Sequence, residues 1–458
     1  MPQSFHHYTG LIELSGLLRA RRVSPVEAAT LMLERIGRLD KALCSYQTVT
    51  AERALQRARL AEAEIARGLW RGPLHGVPIA VKDLCDTEFA PTAAGMTIHR
   101  DRVPARNATV VDRLEAAGAV ILGKLAMTEG AFGTHHPGMP TPKNPWHADY
   151  WPGISSSGSG VATAAGLCYA SLGSDTGGSI RLPSSACGLT GLKTTWGRVS
   201  RDGIFPLAPS VDTIGPMARS AEDSAAVLAA IAGFDQRDPT SLTAPVPDYL
   251  GGIAAGVQGL RLGVDDTVAA SLHADVAHVL ESAAGIFAQA GMRIGSVRLP
   301  AFDRVLSVGA AYSAVETLWS HRDTWPARAA EYSRVLAARL ESAANVTPLQ
   351  LIEAQLERRD FAGRVAALFR DVDLLLVPVL PGPVDKNVDY KGLARLVRFT
   401  APFNASGSPT ITLPGGVDRN GLPVGFQLVG PHLAEDVLLR AGYAFQRMTD
   451  WHTRHPAQ

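Results

Sequence analysis

Residues 153–188 read GISSSGSGVATAAGLCYASLGSDTGGSIRLPSSACG. Two dense Gly/Ser segments, 153–160 and 171–188, flank an apolar run of small residues, Val161–Ala170. Taken alone, the first segment reads as a flexible linker. Against that, the small-residue run directly behind it would start a closely packing helix, and linkers rarely come as a pair around such a helix. Upstream, Ala119-Val120-Ile121-Leu122 reads as a buried strand, Val110–Ala117 as a helix, and Gly76–Leu84 (GVPIAVKDL) as a short apolar strand with a lysine near its end. The first 70 residues read as helices. Ser24-Pro25-Val26-Glu27 is a capping box with proline at the first helical position, and Ala51–Ala66 is an exposed amphipathic helix. Downstream, 221–370 is mostly helical by pattern, with short apolar pieces at Leu260–Val264 and Arg293–Val297. Asp373–Pro378, Thr410–Pro414 and Val424–Gly430 read as strands and Ala434–Met448 as a closing helix. Helices alternating with short, uniformly apolar strands predict an α/β fold whose sheet is covered on both faces.

No proline- or glycine-rich boundary separates two folding units. A single domain over 1–458 is therefore expected: N-terminal helices 1–70, a core 71–220, a helical elaboration at about 250–370, and a C-terminal sheet and helix 371–458. With 46% hydrophobic and 19% charged residues, the 458-residue chain can bury a large core. Lys plus Arg total 44 against 43 Asp plus Glu, which removes the electrostatic reason to expect nucleic acid or an anionic membrane as partner. The four cysteines, 44, 85, 168 and 187, form no CxxC pair, so neither a disulfide framework nor a zinc site is expected. No signal peptide and no stretch long and apolar enough to span a bilayer is legible, and a reducing cytoplasm is the expected location.

Several motifs fail. Gly118–Lys124 resembles a phosphate-binding loop until Leu125, where Ser or Thr is required, and its apolar middle suits a strand. There is no GxSxG elbow and no HExxH. His135-His136 precedes Pro137 in a loop, and each of the 13 histidines is expected to be structural or solvated. No metal site and no cofactor are expected. A hydrolase lacking a placed histidine must find its base elsewhere.

What survives is Lys82 in VKD, the serine run Ser155–Ser157, and Ser179 in DTGGSIR. Serine needs a base to become a nucleophile, and lysine serves once burial disfavours its charged form. Lys82 follows Ile79-Ala80-Val81, so an apolar strand carries it inward, with Asp83 on the opposite side by alternation. Thr176-Gly177-Gly178-Ser179 offers consecutive N–H groups for a developing oxyanion. Each residue alone has a blander reading: Ser179 as a helix N-cap, Lys82 as a strand-end charge paired with Asp86, Ser155 as part of a flexible loop. Those readings do not explain why the segments occur together around a small-residue helix.

The chain at this point resembles the amidase signature family. The carrying stretches are GVPIAVKDLCDT, VILGKLAMTEGAFGT, NPW, PGISSSGSGVATAAG and SLGSDTGGSIRLPSSACGLTGLKTTWGRVSRDGI, followed by TAPFNASGSPTITLP and GLPVGFQLVG. The resemblance runs from about Leu11 to Trp451. It implies a large mixed β-sheet between helical layers, and a triad with Ser179 as nucleophile, Ser155 as bridging serine after a cis peptide bond, and Lys82 as base. Ser155 stands 24 residues before Ser179, the family's spacing. The implied oxyanion donors are Thr176, Gly177, Gly178 and Ser179, and Ala131-Phe132-Gly133 maps onto pocket positions. Tyr312, Trp319 and Trp325 are candidates for a variable wall.

Two departures stand out. The family pattern Gly-Gly-Ser-Ser-Gly-Gly is here Gly153-Ile154-Ser155-Ser156-Ser157-Gly158. Members resembling the glutamine-hydrolysing component of tRNA amidotransferases carry an aspartate three residues before a threonine that is Thr400 here; this chain has Val397. With Arg395 and Arg398 flanking it, an uncharged or acidic substrate is expected. The resemblance thus implies a metal-independent hydrolase of a small or medium amide or anilide, with carbamates (urethanes) and esters as related substrates. The alternative is a glutamine-hydrolysing component of an amidotransferase complex. A monomer or homodimer is expected.

Overall fold

A computed structural model describes residues 5–386, 388 and 390–457. Its centre is one eleven-stranded sheet. In chain order the strands are β1 Tyr46–Val49, β2 Pro78–Lys82, β3 Val120–Leu125, β4 Ala170–Asp175, β5 Thr190–Lys193, β6 Thr213–Ala218, β7 Arg261–Val264, β8 Arg293–Ser296, β9 Leu374–Pro378, β10 Thr410–Val417 and β11 Pro423–Val429. Across the sheet they run β1-β3-β2-β4-β6-β5-β10-β11-β9-β7-β8. The pairings β2–β3, β2–β4, β7–β8 and β7–β9 are parallel and the rest antiparallel, so the sheet is mixed.

Every residue of β2, β3, β4, β6, β9 and β11 is buried, which is why most of these strands read as continuous apolar runs. The edge strand β8 is mostly exposed and carries Arg293, a charge that blunts further pairing. The helix Pro25–Leu43 starts as its sequence requires: the Ser24 hydroxyl accepts from the Glu27 amide and the Glu27 carboxylate from the Ser24 amide.

Three expectations are corrected. The first 70 residues are not helices throughout, since Tyr46–Val49 is β1, an edge strand paired with β3. The small-residue run is not one helix over Val161–Ala170: the helix is Ser157–Ala164, and the second Gly/Ser segment opens as strand β4. A serine-rich strand was hidden because burial here is met by hydrogen bonds; Ser159 Oγ donates to Leu172 O and Thr163 Oγ1 contacts Ser171 Oγ. The helix must be built of small residues, since a Cβ on Gly158 would stand 2.5 Å or less from the carbonyl oxygens of Ser45 and Ala126. The stretch 250–370 is also not helical throughout. The apolar pieces at Leu260–Val264 and Arg293–Val297 hold β7 and β8, which extend the main sheet, and the longer helices of the stretch are Ala274–Gln289, Asp303–Ser320, Arg334–Ala343 and Pro348–Leu368.

Candidate active site

β2 ends in two consecutive charged residues with separate fates. Asp83 forms a buried ion pair with Lys124 at 3.2 Å, and Lys124 also donates to Thr92 Oγ1 at 2.7 Å. The lysine of the phosphate-loop lookalike is therefore committed to the interior. Asp86, the partner Lys82 would have as a strand-end charge, pairs instead with Arg102 at 2.7 Å.

Lys82 is 0% exposed. Its Nζ lies 2.7 Å from Ser155 Oγ, 2.9 Å from Ser156 Oγ and 2.8 Å from Ser174 Oγ. Burial drops its pKa to about 7, against the pull of Cys85, Asp175 and Asp212. Ser174 went unread in the sequence; its signal was the alternation of β4, which pairs in parallel with β2.

The serine run is resolved by its partners. Ser156 Oγ donates to Ser174 O at 3.1 Å and accepts from Ser174 N at 3.2 Å, so its proton is committed. Ser155 Oγ contacts Lys82, and the Ile154–Ser155 peptide bond is cis. Ser157 Oγ, the departure from the family pattern, meets His135 Nε2 at 2.8 Å. Burial lowers His135 to about 4, so the ring is neutral at pH 7.

Ser179 is half-buried on the turn after β4 and faces a cavity of about 390 Å³. The turn is built on Asp175. Burial alone would raise this carboxyl, but Arg181, with Lys193 and Asn404, holds it well below the usual carboxylate range. Asp175 accepts from the amides of Gly178 (2.8 Å) and Ile180 (3.0 Å), from Arg181 Nη2 (2.9 Å) and from Asn404 Nδ2 (2.8 Å). The Gly178 N–H is therefore spent on Asp175. Of the four donors expected for an oxyanion, Gly178 is turned away in this structure. Among the described residues, the amides of Thr176, Gly177 and Ser179 have no protein acceptor. Gly178 is fixed from the other side too: its φ is +134°, and a Cβ there would lie 2.5 Å from Thr400 Oγ1. Thr400 in turn donates to Gly177 O at 2.6 Å.

Ala131, Phe132 and Gly133 all line the cavity, as do Tyr312 and Val397. Trp319 and Trp325 do not. Trp319 is exposed under Arg322, with the guanidinium 4.2 Å from its ring, and Trp325 packs edge-on against Tyr332. Arg395 and Arg398 do not line it either; they pair with Asp385 (3.0 Å) and Asp303 (3.9 Å) at the surface. The part of the substrate-charge expectation that rested on these two arginines loses its basis, because both pair with exposed aspartates; the part that rested on Val397 keeps it. Among the described residues no three His, Cys, Asp or Glu are grouped to hold a metal ion, and no helix is long and apolar enough to cross a membrane.

A sequence model of the Amidase family matches residues 27–439. A protein of Mycobacterium tuberculosis carrying the name amidase AmiD is 47% identical over 453 residues, covering 97% of this chain and 95% of its own. A glutamyl-tRNA(Gln) amidotransferase component from Methylococcus capsulatus is 37% identical, covering 98% of this chain and 99% of its own. The structure of native peptide amidase from Stenotrophomonas maltophilia superposes with a TM-score of 0.85 at 29% identity, covering 98% of each chain.

Proposed function

The chain belongs to the amidase family, and on that premise we propose that it hydrolyses a small or medium linear amide or anilide through an acyl-enzyme on Ser179, with Ser155 and Lys82 as its proton relay. The observation that carries this reading is the contact of a buried, pKa-lowered Lys82 with Ser155 Oγ at 2.7 Å. A neutral amine offers two N–H donors and one lone pair. Three hydroxyls surround Lys82, so one of them donates to that lone pair. Ser156 has spent its proton on Ser174 O; of the other two, Ser155 lies on the segment that meets Ser179, where Ser156 N donates to Ser179 O at 3.3 Å, and it is the one assigned to the relay.

Ser179 Oγ then attacks the amide carbon while its proton passes to Ser155, whose own proton passes to Lys82. The negative oxygen that forms meets the amides of Thr176, Gly177 and Ser179. The C–N bond breaks, the proton returns through the relay to the departing amine, and an acyl ester remains on Ser179. Water repeats the sequence, giving the carboxylic acid and restoring the hydroxyl. Carbamates and esters pass through the same tetrahedral geometry and are expected as secondary substrates.

The glutamine-hydrolysing alternative is disfavoured by Val397, which puts an apolar surface in the cavity wall where an ammonium group would need an acid. A sulfonyl fluoride should label Ser179, and Ser179→Ala should lose at least ~10⁴-fold in kcat with the circular dichroism spectrum unchanged. Labelling at Ser156 or Cys187 with Ser179 untouched would overturn the reading.

A further inference from the structure

Ile154 occupies a position that is glycine in the family pattern, and the triad leaves its side chain without a role. Beside the cavity at Ser179 lies a second, larger hollow of about 760 Å³. Two residues line both spaces: Ile154 and Gly133. The two spaces differ in chemistry. Leu207, Val211, Val305 and Leu306 give the first apolar walls, and it also contains Thr176, Gly177 and Ser179. The second is more polar, with His135, Lys143, Asp149 and Lys386 beside Trp151 and Val388, and holds none of the nucleophile turn.

We propose that Ile154 and Gly133 form a slot that sorts the two halves of the substrate, with the acyl group in the apolar cavity and the leaving amine in the polar hollow, and that Ile154 sets the width of amine admitted. This rests on the acyl-enzyme reading above. In that chemistry the acyl group stays on Ser179 after the amine has gone, so the space that contains Ser179 must be the acyl space. The amine needs a separate way out, and the hollow beyond Ile154 shares two lining residues with the cavity, Ile154 and Gly133, where the hollow on the Ala405 side shares one.

The slot has a fixed width because its two sides are tied together. The Gly133 side belongs to the segment 126–135, and the Ile154 side to the segment 154–158. Thr128 N donates to Ser155 O at 3.3 Å and Gly158 N to Ala126 O at 2.9 Å, and His135 meets Ser157 at 2.8 Å. The Ile154 side chain is also backed by an apolar cluster that includes Trp146, Trp151 and Leu182. Gly133 contributes no side chain, so the opening is bounded by one branched aliphatic group. A flat, unbranched amine passes such an edge and a bulky one does not. The substrate class this favours is an N-aryl amide or N-aryl carbamate with an apolar acyl part.

The test uses purified full-length protein and two substrate series. One keeps the acyl group and compares an anilide with its 2,6-dimethylanilide. The other keeps aniline and lengthens the acyl chain from acetyl to octanoyl. Ile154→Ala should raise the kcat/KM ratio of hindered to plain anilide by ~10-fold or more, the scale on which a pocket senses one or two methyl groups. The acyl-length ratio should stay within about 2-fold over the same comparison. Ile154→Val, a smaller change that keeps the branched shape, should move the first ratio in the same direction by less. The proposal is overturned if the acyl-length ratio moves instead, if neither ratio moves, or if the wild type turns over aliphatic amides and no anilide. Each of those outcomes leaves Ser179 labelled by a sulfonyl fluoride. Loss of that labelling would strike the acyl-enzyme reading itself.

Discussion

Replacing Lys82 with methionine should abolish turnover and make the folded protein lose ground to the wild type as pH rises from 7 to 10. Unfolded, Lys82 keeps its proton up to about pH 10.4. Folded and fully buried, it releases that proton near 7. Between these values the unfolded chain binds more protons, so stability rises with pH through this window. The penalty is full below pH 7 and gone above about 10.4. A fall from 10.5 to about 7 corresponds to about 5 kcal/mol. At pH 7, where the group is half protonated, about 4 kcal/mol of that remains. Methionine removes the penalty but strands the hydroxyls of Ser155 and Ser174, at about 1–3 kcal/mol each, while Ser156 keeps its bonds to Ser174. The variant-minus-wild-type difference should lie between a gain and a loss of about 2 kcal/mol at pH 7 and fall by about 3–4 kcal/mol by pH 10. Urea titrations of both proteins at pH 6, 7, 8, 9 and 10 read this directly. A variant-minus-wild-type difference that stays constant from pH 7 to 10 would refute the argument, because it would mean that Lys82 is charged in the native state. In parallel, kcat/KM of the wild type should rise with pH through a single ionisation near 7. Lys82→Arg, which cannot supply a neutral base, should be as inactive as the methionine variant.

Asp175→Asn should cost about 3–5 kcal/mol in a denaturant titration, because it leaves the Arg181 guanidinium buried without its counter-charge. Arg181 also donates to Asn404 Oδ1 (2.5 Å), Gln427 Oε1 (3.1 Å) and Thr400 O (2.8 Å), and a loss below about 1 kcal/mol would mean that these neutral acceptors alone satisfy it. Gly178→Ala should lower kcat by at least ~10²-fold, since the added methyl at φ +134° collides with Thr400 and shifts the amides of Gly177 and Ser179; wild-type kcat would show that the turn tolerates it. Dialysis against a strong chelator should leave activity intact, and activity restored by a divalent metal after such treatment would count against the lysine relay.

Much of the sheet was legible because its inner strands are buried on both faces. Pro78–Lys82, Leu374–Pro378 and Pro423–Val429 announce themselves as apolar runs bounded by Gly or Pro. β4 did not, because Ser171 and Ser174 satisfy their hydroxyls against Thr163 and Lys82 and so are buried polar residues in a strand. Lys82 and Ser155 could be picked out by chemistry and spacing, and the structure places them in contact. The support beneath the turn was harder to see. Asp175, Arg181 and Asn404 lie up to 229 residues apart, and nothing local in TAPFNASG says that Asn404 reaches Asp175. The loss of Gly178 as a donor was likewise invisible, since four consecutive N–H groups look equivalent until an acceptor claims one.

The adjacent Lys82 and Asp83 at the end of β2 also protect the chain from misassembly. β2 lies between two parallel neighbours, β3 and β4, and its side chains are all apolar up to this point, so apolar packing alone would tolerate a shift along either strand. A slip of one residue would bring the Asp83 carboxylate toward the three serines and turn Lys82 toward Lys124. Two like charges would then face each other in the interior, and a carboxylate would sit where an amine belongs, at several kcal/mol for each buried charge left unpaired. The ion pair between Asp83 and Lys124 thus acts as a molecular key for alignment. A chain slipped by one residue would leave those buried charges unpaired, so the observed alignment of β2 is the one that satisfies both.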